Sequence, residues 1–142
     1  MQKLEELVFY QLENAIKAYR QFAQKQITKA GFDITIDQWL VIKTIQENEN
    51  LAQQHIAEKV FKDVASVTRI IELLVKKGYI TRSFHQDDRR RFALAITPEG
   101  EAIVSKVLPI IEQNRAQALA SFSQNDIKKL QSLLTTFTQN CL

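Results

Sequence analysis

Three consecutive arginines, Arg89, Arg90 and Arg91, follow the acid Asp88 in this 142-residue chain. Guanidinium groups at that density suit phosphate oxygens, or the concentrated negative potential of a narrow duplex groove. A second polar set lies upstream, made of Lys62, Ala65, Ser66, Thr68 and Arg69. Small side chains, hydroxyls and one guanidinium can approach base edges closely and bond to the donors and acceptors there. Both sets fall in a basic stretch. Residues 51–97 hold nine Lys/Arg against five Asp/Glu, a net +4, so the rest of the chain is −1 of the total +3. A basic middle between nearly neutral ends suggests a polyanion-binding module carried on other elements.

Other chemistries find little support. His55 and His85 have no second ligand at metal spacing, so both read as ordinary histidines and no metal site is expected. Ser66 lacks a His or Asp partner in a nucleophile motif. With no phosphate loop and no paired carboxylates, an enzyme is not expected and no cofactor is called for. Cys141 is the single cysteine, which excludes an intramolecular disulfide and a thiolate cluster within one chain. The opening residues, MQKLEELVFYQLENAIKAYRQF, mix charges with apolar side chains. They read as neither signal peptide nor membrane span, so a cytoplasmic protein without membrane association is expected.

The elements that must position the polar sets are mostly helical, since the chain has three glycines and two prolines. Apolar residues from Leu4 to Ile27 recur at steps of three and four, one stripe of a long helix, with Gly31 as its stop. Thr35 and Gln38 form a capping box, with Ile34 and Trp39 as staple, for a helix over Ile36–Glu47. A short helix over Gln53–Val60 follows. Asp63 caps the next, over Val64–Lys77, which Gly78 closes. At 100° per residue Val67, Ile70, Ile71 and Leu74 make its buried face, leaving Ala65 and Arg69 outward with Ser66 and Thr68 on the flanks. From Tyr79 the period becomes two, and Ile80, Arg82 and Phe84 on one arm with Phe92, Leu94 and Ile96 on the other predict a hairpin tipped by His85 to Arg90. Thr97-Pro98-Glu99 opens a helix running toward Leu119, and Ser123 with Asp126 opens a last one ending near Gln139.

The fold class is therefore mainly α with a small β-hairpin wing. A short helix, a turn, a helix showing Ser, Thr and Arg, and then a hairpin with an arginine-rich tip is the order of a winged helix-turn-helix. The runs Ser66-Val67-Thr68-Arg69, Leu73 to Ile80, Asp88-Arg89-Arg90 and Leu94 to Gly100 together resemble the signature of MarR-type regulators. The resemblance implies a double-stranded-DNA-binding homodimer, with residues 35–100 as the DNA-binding region and residues 1–34 and 101–142 as dimerisation helices in a single domain. It implies a sequence-specific repressor on a palindromic operator, released by a small-molecule effector. It matches Arg90 to the wing arginine that enters the minor groove and Asp88 to the acid that orients the wing's basic side chains. Ala52 departs from the Ser or Thr that the family often has before its short helix. No cysteine lies near the N-terminus, where the peroxide-sensing branch carries its reactive residue. Many members form a ligand cavity near the positions of Tyr10, Tyr19, Phe22 and Trp39, although aromatic residues at helical spacing more often fill a core. The alternative reading is a winged-helix protein-interaction module, against which Ala65, Ser66, Thr68 and Arg69 offer little apolar surface.

Overall fold

The computed structural model describes residues 1–48, 50–84 and 92–142. Its elements are α1 (Val8–Lys29), α2 (Ile36–Glu47), α3 (Gln53–Lys59), α4 (Val64–Lys76), β1 (Ile80–Phe84), β2 (Phe92–Ile96), α5 (Pro98–Ala118) and α6 (Gln124–Cys141). The fold is mainly α with one antiparallel hairpin, in which Ile80 pairs with Ile96 and Phe84 with Phe92.

Local bonds explain most helix starts. The Thr35 hydroxyl accepts from the Gln38 amide at 3.0 Å while the Gln38 side chain accepts from the Thr35 amide at 3.1 Å. Ser123 and Asp126 repeat that exchange ahead of α6. Each box satisfies donors that the first helical turn leaves without partners. Ile34 and Trp39 are both buried, as a staple requires.

The first helix begins later than its apolar stripe predicts. Leu4–Glu6 forms a 3-10 turn and Leu7 is extended, with φ −72° and ψ 130°. The Glu6 carboxylate accepts from the Lys3 amide and the Gln11 side chain donates to the Glu5 carbonyl, so local bonds replace helical ones there. Side-chain periodicity survives such a break, because a 3-10 turn also returns side chains to one face every three residues.

The core lies between α2, α3, α4 and the base of the hairpin. Val41, Ile42, Ile56, Val67, Ile71, Leu74 and Ile80 are buried within it, joined by Ile27 of α1 and by Val104 and Val107 of α5. The hairpin contributes apolar side chains at its base, where Ile80 and Leu94 are buried, while Thr81 to Phe84 are exposed. That keeps the outer part of β1 clear of the core.

The junction with α5 is tight. The Thr97 hydroxyl donates to the Gly78 carbonyl at 2.6 Å and accepts from the Gly100 amide at 3.0 Å, and the Thr97 amide donates to the Tyr79 carbonyl. A β-carbon at Gly100 would sit 2.2 Å from the Tyr79 carbonyl oxygen, so only glycine fits. Further along α5 the buried Asn114 amide donates to the Ala23 carbonyl of α1 at 3.3 Å. α6 buries none of its own residues; its Phe137 ring tilts against Phe9 with centroids 5.4 Å apart. Among the described residues no helix is long and apolar enough to cross a membrane.

Candidate nucleic-acid interface

The exposed face of α4 begins at its cap. Asp63 accepts from the Ser66 amide at 2.7 Å through one carboxylate oxygen and from the Ser66 hydroxyl at 3.0 Å through the other. Those two bonds, with the nearby Arg69 charge, hold the Asp63 carboxyl below its usual range, so it stays ionised as a cap. Because the Ser66 hydroxyl spends its proton on Asp63, its lone pairs face outward as acceptors. Arg69 reaches one of them at 3.4 Å, a long bond that leaves most guanidinium donors uncommitted. Ala65 and Arg69 are exposed and Ser66 is half-buried, which places these three on one surface at the start of α4.

Thr68 and Lys62 are drawn inward. The Thr68 hydroxyl lies 2.9 Å from the Val64 carbonyl and 3.0 Å from the Gln53 side-chain oxygen on α3, and its one proton serves one of the two. Lys62 places its ammonium 3.2 Å from Asp37 at the start of α2. Asp37 also receives the Arg20 guanidinium from α1, so one carboxylate ties three elements together. The wing residues Asp88, Arg89, Arg90 and Arg91, and with them His85, lie outside the described residues.

Sequence reasoning missed one feature of this surface. Phe61, in the turn between α3 and α4, is 94% exposed, and the adjoining Val64 is exposed as well. No glycine marks residue 61 as a turn position, so the sequence carried no signal there. Away from this surface, near aromatic positions where the family resemblance implied a cavity and helical spacing favoured a filled core, a cavity of about 160 Å³ lies between α1, α2 and α5, lined by Tyr19, Arg20, Trp39, Asn114 and Arg115 among others. Trp39 is 4% exposed, and its indole N–H meets no acceptor among the described residues. That donor is sealed in the interior, where lacking an acceptor costs free energy. Of the other aromatics singled out from the sequence, Tyr19 lines the cavity, Phe22 is half-buried and Tyr10 is exposed.

Residues 34–92 match the MarR family model. That stretch carries a MarR-family domain. A Thauera aromatica protein named as a transcriptional regulatory protein for the hcr operon is 31% identical over 102 residues, which cover 72% of this chain and 60% of that relative. Among solved structures, Bordetella bronchiseptica BpsR, whose DNA binding is regulated by 6-hydroxynicotinic acid, superposes with a TM-score of 0.88 at 21% identity, covering 97% of each chain. S. aureus MepR, solved as a DNA complex, superposes with a TM-score of 0.85 at 20% identity, covering 94% of this chain and 98% of that one. At those identities the two structures establish the MarR winged-helix fold. The T. aromatica match runs through the sequence and spans about 60% of that relative's length.

Proposed function

We propose that this chain is a sequence-specific DNA-binding transcriptional repressor that grips a palindromic operator as a homodimer. The carrying observation is the polar surface at the start of α4, where Ala65, Ser66 and Arg69 stand outward beside a hairpin whose arms leave the core. In this reading α4 enters the major groove. Arg69 bonds the two acceptors of a guanine edge, Ser66 accepts from a neighbouring base, and Thr68 sets the angle of α4 on α3. Arg90 enters the adjoining minor groove, Asp88 orients it, and Arg89 or Arg91 meets phosphate, because successive side chains of an extended arm point to opposite sides. Lys62 reaches backbone phosphate when it leaves Asp37.

The second copy is supported by apolar side chains that α1, α5 and α6 leave in solvent. Leu12, Ile16, Leu119, Phe122, Leu130 and Leu134 border a groove of about 850 Å³, too apolar and too open for a surface that stays wet. A small-molecule effector is supported by the cavity beside Trp39, where the aromatic side chains of Tyr19 and Trp39 with the basic side chains of Arg20 and Arg115 suit an acidic aromatic compound. Its occupation would strain the contact of α1 and α5 with α2, and so shift the spacing of the two recognition helices.

Selection of bound sequences from a random duplex pool tests this directly, with recovery of an inverted repeat as the expected result. Arg69→Ala should then lose on the order of 1–3 kcal/mol and relax preference at one position in each half-site. Arg90→Ala should lose most operator binding, more on A·T-rich than on G·C-rich flanks, while the protein stays folded. Recovery of no common sequence, or parental affinity in Arg90→Ala at physiological salt, would sink the reading.

A further inference from the structure

Three helices end on the same backbone motif. After α1 the Gly31 amide donates to Thr28 and the Phe32 amide to Ile27; after α4 the Gly78 amide donates to Val75 and the Tyr79 amide to Leu74. After α3 the Phe61 amide donates to Glu58 and the Lys62 amide to Ala57. The motif requires a left-handed residue just past the helix, and the three are Gly31 at φ +92°, Gly78 at φ +82° and Phe61 at φ +60°. Glycine adopts that conformation freely, whereas a bulky aromatic side chain crowds its own backbone there.

The fold gives Phe61 nothing in return. Its ring is 94% exposed and takes no part in the core. The next residue, Lys62, turns back to Asp37, so the turn projects Phe61 alone. That turn belongs to the helix-turn-helix, and Phe61 stands two residues before Asp63, the cap of α4. Val64 and Ala65, next along the chain before Ser66 and Arg69, are exposed as well. A strained residue kept at the surface beside a binding face points to a contact made when the partner arrives.

We infer that Phe61 is a DNA-contacting residue, its ring packing on apolar atoms of the operator beside the bases met by Ser66 and Arg69. Those atoms are either a thymine 5-methyl group or a deoxyribose, which share the same apolar chemistry. The inference rests on the DNA-binding reading above. It separates the two demands on one residue: the fold favours glycine at this position, and the operator favours the ring.

The test measures thermal stability and operator affinity together in the full-length protein, using the duplex recovered by selection. Phe61→Gly should raise Tm by roughly 2–6 °C through relief of the left-handed strain. The same variant should bind the operator about tenfold more weakly. The slope of log affinity against log salt should stay at the parental value, because an uncharged ring displaces no counterion. Phe61→Asn, which also tolerates the left-handed region, should repeat both effects, and Phe61→Tyr should keep the parental Tm and affinity. Deoxyuridine in place of thymine distinguishes the two sources: a loss at one position per half-site that disappears in Phe61→Gly identifies the methyl group, and its absence alongside the Phe61→Gly loss identifies the sugar. Stabilised Phe61→Gly and Phe61→Asn proteins with parental affinity would overturn the inference while DNA binding stands. A parent that selects no duplex would instead overturn the DNA-binding reading itself, and this inference with it.

Discussion

α4 and α6 are both amphipathic helices, yet their apolar side chains meet opposite fates. Val67, Ile71 and Leu74 of α4 are sealed against α2, α3 and the hairpin base. Leu130, Leu133 and Leu134 of α6 stay in solvent, as do Phe9 and Ile16 of α1 and Phe122 before α6. Burial of each such side chain is worth about 1.5–3 kcal/mol, so α4 is held by its own chain while α6 leaves that stabilisation unused. The contrast teaches that amphipathicity reports a face to be covered and is silent on which chain covers it. In the proposed dimer a second copy supplies the cover, and the winged-helix core is carried ready-made.

The comparison breaks most visibly at α6. Leu130→Glu combined with Leu134→Glu should give a monomer in sedimentation at micromolar concentration, still helical by circular dichroism, with operator affinity lower by roughly 100-fold or more as one of two linked sites is lost. A stable dimer in that variant would mean that α6 is not the covering face. Next in size is the opposite substitution in the sealed half. Ile71→Ala, at a position with no exposure, should cost about 2–5 kcal/mol in urea unfolding. A loss below about 0.5 kcal/mol would show the α4 core to be looser than its burial implies.

The two halves meet at Gly100, where even one methyl group collides with the Tyr79 carbonyl. Gly100→Ala should destabilise by about 1–3 kcal/mol, since the start of α5 must shift to admit it. Unchanged stability would show that the junction yields easily. The smallest effect sharpens the account of α4 from its exposed side. Asp63 is held ionised below its ordinary value, so its cap bond contributes above that value and is lost as pH falls toward the lowered one. Asp63→Asn should therefore remove a small part of the acid-side decline in stability and leave neutral-pH helicity close to the parent. An identical acid profile in the variant would argue that the ionisation of Asp63 adds nothing to the folded state.

Residues such as Asp63 were legible because a cap is a local matter. Thr35 with Gln38, Asp63 with Ser66, Thr97 with Gly100 and Ser123 with Asp126 each act across three residues, and their bonds form in any chain that turns helical there. The outward placement of Ala65 and Arg69 followed from the angle between successive side chains, before any packing was known. The candidate surface was thus half readable. Its wing, Asp88 to Arg91, rests on the sequence pattern alone, since those residues lie outside the described structure.

By itself, then, the sequence determined what depends on neighbours: helix period, caps, the switch to strand alternation at Tyr79, and the basic stretch that contains both polar sets. Tertiary structure decided what depends on how helices cross. Arg20, Asp37 and Lys62 are far apart in the chain, and nothing in their spacing announces that one carboxylate gathers both cations. Trp39 reads as core from its position in a staple, and the meeting of α1, α2 and α5 is what leaves a cavity beside it. Phe61 lies at a left-handed turn that only the backbone reveals, because aromatic residues carry no sequence signal for positive φ.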